Sequence, residues 1–507
     1  MSYLDLLRLV APEAIVVLTA LIVLTVGLVT GRRSAGATVS VAGNAMADNT
    51  FATPSSGLTS FVAALGLAVA AVAVLRLPDH AVFGAGMLVV SPLNSLFKVI
   101  CLVLAFVTVL LAHGERSLPN KGEYLAMILL ATLGLLLLVG SEELLMIFIG
   151  LELTGLSLYV LTAFDKSHQQ SAEAGLKYFL FGSMASAFAL FGLSLIYGLA
   201  GTTALLGIGQ RFAGPALPPL LFVGIVMTLI GFAFKIAAAP LHLWAPDAYQ
   251  AAPASTAALI ASGSKVASFV VLGKVLLIAL PNVHGAAAWH AMLPGWAPVL
   301  AVFAALSIVV GNFVALVQNN VRRLLAYSAV AHAGYTLLGL LARGREGFAA
   351  TLFYTTIYAF TLLGAFGVVA LVRRETGGDD LTEFAGLRGR SPLLAGCMAI
   401  FILSLAGLPP LAGFFGKFYL FSAAFHTPGV AHGLLWLVAL ALFGSLVSLY
   451  YYLIVLKAIF VDEANTTGSV FSSDFLPRLA LVLLAGVVLL LGLRPDLLLA
   501  RILASLS

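Results

Sequence analysis

The chain has 507 residues, of which 61% are hydrophobic and only 9% charged, with 26 basic against 21 acidic side chains. Soluble proteins carry roughly a quarter charged residues, so this composition excludes a soluble-domain enzyme and describes an integral membrane protein. The only two cysteines, Cys101 and Cys397, both lie in apolar stretches, which excludes a disulfide framework and a cysteine-ligated metal site.

Apolar stretches of the length that crosses the hydrocarbon core recur from end to end. In chain order they cover 9–30, 59–77, 94–113, 123–140, 142–164, 174–200, 218–239, 255–280, 295–318, 323–342, 349–372, 392–424, 434–461 and 476–498. This predicts an all-α polytopic membrane protein of about 14 transmembrane helices. The run from Leu9 is too long for a signal-peptide core and lacks a basic leader, so it reads as a retained first helix. Residues 31–58, rich in Ser, Thr, Gly and Ala, read as a flexible loop. They and 373–391 are the longest polar connections, and both are too short to bury a core of their own. One membrane domain is therefore expected. The chain carries no Gly-rich loop of Walker type, so ATP hydrolysis is not expected in it.

Loop charges orient the spans. With the N-terminus outward, inner loops carry Arg32, Arg33, Arg116, Lys121, Lys166, Arg322, Arg323, Arg373, Arg374, Arg388, Arg390 and Arg478, against Arg8, Arg76, Arg211, Arg343, Arg345, Arg494 and Arg501 outside. The positive-inside rule then places both termini on the outer side.

Charges inside the spans carry the chemistry. All 17 arginines fall in loops or near span ends, whereas Lys98, Lys177, Lys235, Lys265, Lys274, Lys417 and Lys457 fall within apolar segments or at their margins. Arginine stays protonated, but a lysine withdrawn from water releases its proton more readily, because desolvation disfavours the charged form. Lysines near span ends, such as Lys98 and Lys457, have a plainer reading as side chains that snorkel to the headgroups. Among the acidic residues only Glu152 lies well inside a span, with Glu13 marginal. Buried charges are costly and find partners, and Glu152 is the natural counter-charge for Lys235. His332 titrates close enough to neutrality to relay protons, although a lone buried histidine is as often a satisfied core group.

Two segments interrupt their own helices. In GFAFKIAAAPLHLWAPDAY, Pro240 and Pro246 follow Lys235; in SLAGLPPLAGFFGKFYL, Pro409 and Pro410 precede Lys417. Proline removes a helix hydrogen bond and clashes with the preceding turn, so both spans are predicted to be discontinuous. A pair of interrupted segments in the two halves of a polytopic chain points to an inverted-repeat transporter with ions handled at the breaks.

The strings GLELTGLSLYVL, SAEAGLKYFLFGSMASA, FKIAAAPLHLWAPDAYQAAPASTAALIASGSKVASF, QNNVRRLLAYSAVAHAGY and LAGLPPLAGFFGKFYLF resemble the antiporter-like subunit N family of bacterial respiratory complex I, the NADH:quinone oxidoreductase, over about residues 120–460. The resemblance implies two inverted five-helix repeats, 121–280 and 281–462, with N-terminal helices in 1–120 and a C-terminal helix in 463–507. It also implies proton translocation driven by quinone reduction elsewhere in the complex, through Glu152, Lys235, Lys265, His332 and Lys417. Lys177 is a further candidate. The implied partners are neighbouring antiporter-like and small membrane subunits in the bilayer of the bacterial inner membrane, with no nucleic acid. FMN, iron–sulfur clusters and quinone belong to those partners, and no cofactor or metal is expected in this chain. A cation/proton antiporter subunit of the multisubunit sodium–proton type is the alternative, and an inert spacer in the complex a further one.

Overall fold

A computed structural model describes residues 3–39, 54–115, 120–214, 217–426, 433–463 and 475–506. Hydrocarbon offers a backbone no water to bond, so a spanning chain must satisfy its own N–H and C=O groups, and helices dominate here for that reason. A short α1 (Tyr3–Leu9) leads into α2 (Ala11–Val39) and α3 (Pro54–Leu75). Residues 31–39 thus continue α2 and 54–58 open α3, rather than belonging to a loop; residues 40–53 and Arg116 lie outside the described residues. A small hairpin of β1 (Ala81–Phe83) and β2 (Leu88–Val90) precedes α4 (Pro92–Gly114), which Ser91 caps by accepting the Asn94 N–H at 3.2 Å.

Next come α5 (Lys121–Gly140), α6 (Leu144–Thr162), α7 (Gln169–Ala200) and a short α8 (Leu205–Arg211). The first interrupted segment is α9 (Pro219–Lys235) followed by α10 (Trp244–Ala251). The succeeding span is built in pieces: α11 (Ala254–Leu259), a π-helical turn at Ile260–Ser264, α12 (Lys265–Lys274), and a second π turn at Val275–Ala279. A second hairpin, β3 (Ala286–Ala288) with β4 (Ala291–Leu293), leads to α13 (Trp296–Ala315), α14 (Val321–Leu341) and the long α15 (Gly344–Thr376). A short α16 (Leu387–Arg390) precedes the second interrupted segment, α17 (Pro392–Ala406) and α18 (Ala412–Phe425). The chain closes with α19 (Leu435–Phe460), α20 (Phe475–Leu493) and α21 (Asp496–Ser505).

Among the described residues, twelve helices are long and apolar enough to cross a membrane. Of the other two expected spans, 218–239 holds the single shorter helix α9, which ends at Lys235, and 392–424 is divided between α17 and α18. Burial separates centre from rim: 254–279 are buried along 100% of their apolar window and 321–341 along 94%, against 33% for α2 and α3. The rim helices still pack closely. Gly27 of α2 and Gly122 of α5 meet face to face, where a methyl group on Gly122 would stand 2.6 Å from the Gly27 Cα.

Candidate functional site

Lys235 is the last residue of α9, and residues 236–243 form the break. Several of its freed backbone groups find partners: Ala238 N–H donates to the Ala233 carbonyl at 2.8 Å, and Ala239 N–H donates to Ser307 Oγ of α13 at 2.8 Å. The Trp244 indole donates to the Phe234 carbonyl at 3.1 Å. Irregular backbone is tolerated at membrane depth on that condition. Pro240 lies in the non-helical link, but Pro246 does not interrupt a helix. It sits in the first turn of α10, where its missing N–H would have no intrahelical partner.

The Lys235 ammonium is buried and donates to the Leu151 carbonyl of α6 at 3.1 Å, with the Tyr159 ring centroid 5.6 Å away. Glu152, the next residue on α6, accepts instead from Ser186 Oγ of α7. The expected direct pairing is therefore not made in this conformation: among the described residues no ion pair within 4.0 Å joins Glu152 to Lys235. Space for the ammonium comes from Gly155, where a Cβ would stand 2.5 Å from Lys235 Nζ. The nearby Tyr159 hydroxyl is buried without a hydrogen-bond partner among the described residues.

Lys265 follows directly on the first π turn and donates to the Ala329 carbonyl of α14 at 2.7 Å, with its ammonium 5.4 Å from the Tyr358 ring centroid. That ring leans on His332, 4.9 Å between centroids. His332 is held at both ring nitrogens, Nδ1 with the Tyr354 hydroxyl at 2.5 Å and Nε2 with the Tyr452 hydroxyl at 3.0 Å. Tyr452 also bonds Ser328 at 2.5 Å. The imidazole thus stands between hydroxyl groups that can donate or accept, the arrangement a proton relay needs.

Lys417, on α18, donates to Ser445 Oγ and to the Ala406 carbonyl, each at 2.9 Å. Ala406 ends α17, so the ammonium sits at the carbonyl end of a half-helix, where a positive charge is favoured. Gly407 makes the break possible by taking φ 84°, and Pro409 and Pro410 occupy the link between the half-helices. Tyr335 lies 5.4 Å from Lys417 Nζ and leads back through Asn312 to Tyr451, the neighbour of Tyr452. Lys265, His332 and Lys417 are thereby linked through Tyr358, Tyr335, Tyr451 and Tyr452, with Asn312 between Tyr335 and Tyr451.

Lys177 does not join this set. It is partly exposed, paired with Glu173 at 2.7 Å and Asp247 at 2.9 Å, on a cleft of about 180 Å³ that also reaches Gln170 and Gln250. Glu115, between α4 and α5, accepts from Ser255 N and Oγ at 3.2 and 2.6 Å. Burial pushes its carboxyl above the ordinary range, partly offset by those bonds and by Arg322. Lys98 is no snorkelling side chain: it is 1% exposed and paired with Glu13 at 2.6 Å. Lys457 pairs with Asp462 at 3.3 Å on the surface.

Sequence reasoning missed Ser186, the orphaned Tyr159, the buried His242 of the first break, and the tyrosines around His332. A signal existed for the last group. Tyr354 and Tyr358 recur one turn apart inside a long apolar helix, and 450–452 read Tyr-Tyr-Tyr, whereas membrane tyrosines ordinarily gather at the interfaces.

Residues 141–448 match the family described as NADH:quinone oxidoreductase/Mrp antiporter, transmembrane. The chain is 48% identical over 423 residues to NADH-quinone oxidoreductase subunit N 2 of Acidobacterium capsulatum, covering 82% of this chain and 85% of that one. It is 40% identical over 406 residues to NADH-quinone oxidoreductase subunit N of Moorella thermoacetica, covering 80% and 82%. Its structure resembles a chain of respiratory complex I from Thermus thermophilus, with TM-score 0.77, 32% identity and coverage of 96% and 98%. A chain of the Mrp complex from a Dietzia species gives TM-score 0.77 with coverage of 99% and 97%; at 20% identity that likeness shows the fold alone. The chain is a multi-pass membrane protein that belongs to the NADH:quinone oxidoreductase/Mrp antiporter family, among relatives that are NADH-quinone oxidoreductase N subunits.

Proposed function

We propose that this chain is a non-redox, proton-translocating subunit in the membrane arm of an NADH:quinone oxidoreductase of the bacterial inner membrane, with both termini on the outer side. The observation that carries the reading is the series of buried protonatable groups running from Lys235 beside Glu152, through Lys265 and His332, to Lys417. Flavin, iron–sulfur clusters and quinone belong to partner subunits in this reading, and neighbouring antiporter-like subunits flank the chain. Residues 121–280 and 281–462 form the two inverted repeats, each with one broken span.

The working step is an exchange of partners at Glu152. With the carboxylate on Ser186, Lys235 lacks its counter-charge and is poised to release a proton. When the carboxylate swings to Lys235, it favours the ammonium form. A change arriving from a neighbouring subunit that biases this exchange drives the proton toward Lys265, His332 and Lys417. Lys235→Ala and Glu152→Ala are each expected to lower protons pumped per NADH oxidised while the complex still assembles. Unaltered pumping in both variants sinks the assignment, and sodium flux without NADH-linked activity selects the antiporter alternative.

A further inference from the structure

A second buried cluster of charges lies apart from the central series, at the end of the bundle where α2 begins. Lys98 of α4 pairs with Glu13 of α2 at 2.6 Å, with both side chains almost fully buried, and Glu13 Oε2 has no hydrogen-bond partner among the described residues. Lys274, 2% exposed, donates to Asn94 Oδ1 at 2.6 Å and to the Val139 carbonyl at 2.8 Å, and stands 3.4 Å from Glu142. The two lysines converge on one corner of the chain, because a Cβ on Gly140 would lie 2.7 Å from Lys98 Cε. Glu143 takes no part: its carboxylate accepts the N–H groups of Leu145 and Met146 as the cap of α6. Glu142 is the least buried member, with 28% of its side chain exposed.

Lys274 is also tied to the central series through its own helix. α12 is a ten-residue rod whose first residue is Lys265 and whose last is Lys274, with a π turn against each end. At about 1.5 Å per residue the two lysines lie roughly 13 Å apart along it. π turns are sites where a helix can change its hydrogen-bond register, and they occur often at functional positions. A shift of this rod moves Lys265 against Ala329 and Lys274 against Asn94, Val139 and Glu142 in one motion.

We infer that Lys274 and Glu142, with the Glu13–Lys98 pair behind them, form a second proton-exchange site that opens on the face carrying the N-terminus and is coupled to the central series through α12. This rests on the proton-translocation reading. In the exchange the Lys274 ammonium gives a proton to the Glu142 carboxylate, an N–H bond breaking as an O–H bond forms, and the neutral acid then releases that proton to water. The Glu13–Lys98 pair keeps a positive charge close to Lys274, which favours release. A cluster that merely clamps α2 to α4 has no need of an exposed carboxylate on Lys274.

The test uses native membrane vesicles holding the whole complex, with NADH oxidation and proton uptake measured together. Lys274→Met and Glu142→Gln are expected to leave assembly and NADH oxidation in place and to lower protons pumped per NADH. The exchange of Glu13→Lys with Lys98→Glu, which keeps a clamp but reverses its field at Lys274, is expected to assemble and to pump less. An unchanged ratio in Lys274→Met and Glu142→Gln, beside a lowered ratio in Lys235→Ala, overturns the second site and leaves translocation standing. If Lys274→Met does not assemble, the surface variant Glu142→Gln decides alone. An unchanged ratio in Lys235→Ala and Glu152→Ala as well removes the translocation reading itself.

Discussion

Ser186 holds Glu152 by one hydroxyl, and hydrogen bonds to charged groups are worth about 1.5–3 kcal/mol, roughly ten- to hundredfold in a two-position equilibrium. Ser186→Ala should therefore release the carboxylate to Lys235 and lock the pair together. Protons pumped per NADH are expected to fall with NADH oxidation retained, and Ser186→Thr, which keeps the hydroxyl, should restore them. Ser194, on the same helix but exposed and bonded to its own backbone at Phe191, is the control whose alanine variant should pump normally. Equal losses in the Ser186 and Ser194 variants would remove the partner-exchange step. A different sign governs Glu115, whose carboxyl is raised chiefly by burial. A raised carboxyl favours its protonated form in the folded state, so its contribution is fully present below the ordinary carboxylate range and is lost as pH rises through the raised value. Glu115→Gln should melt higher than the parent at neutral pH and lose the part of the pH dependence that Glu115 supplies. Parallel melting curves of the two purified complexes across pH would contradict it.

The fit of the half-helices at the second broken span can be tested with glycines. At the second break a methyl group on Gly413 would drive into the Ser404 carbonyl of the preceding half-helix, a backbone atom that cannot rotate aside. Overpacking of this kind costs about 1–3 kcal/mol, so Gly413→Ala should lower the melting temperature of the assembled complex and displace Lys417 from Ala406. Gly396 on α17 faces open space, and its alanine variant should be neutral or slightly stabilising, since glycine within a helix costs about 0.5–1 kcal/mol relative to alanine. Melting temperatures that move together in the two variants would contradict the tight fit. Both breaks were legible in the sequence, because proline announces a missing donor wherever it falls in an apolar run. Pro246 shows the limit of that signal: position within the first turn decides whether a proline breaks a helix, and the turn's start is set by packing. The charged members were legible for the same one-dimensional reason, a lysine or glutamate standing out among leucines. Ser186 was not, because α7 also carries Ser171, Ser183 and Ser194, and only the packing of α6 on α7 selects the one that meets Glu152. Nor was the burial of Lys98, whose partner lies 85 residues away on another helix.

Across the whole molecule the two halves are tied to one another through groups that each half leaves open. Lys265 in the first half uses a carbonyl of α14 in the second, and Ser307 of α13 accepts the N–H that the first break frees. A further tie is at Arg322, fully buried at the start of α14, which reaches the Ala252 carbonyl beyond α10 and stands 3.4 Å from Asp379. Asp379 also pairs with Arg373 at 2.6 Å, and its own carbonyl accepts the Val321 N–H at 2.8 Å. One carboxylate therefore bridges two guanidinium groups, and the Asp379 carbonyl anchors the first turn of the helix that carries His332. Removing one partner of a buried pair costs about 3–5 kcal/mol, because the charge left behind has no water to solvate it. Asp379→Asn keeps the volume and removes the charge, so it should lower the melting temperature of the complex and weaken NADH-driven pumping through a displaced α14. Arg322→Met alone should cost less, because Asp379 keeps Arg373 at 2.6 Å. Combining the two should cost clearly less than the sum of the separate losses, since the buried Arg322 charge that dominates the loss in Asp379→Asn is then gone. Strict additivity in that cycle would mean that Arg322 and Asp379 act independently.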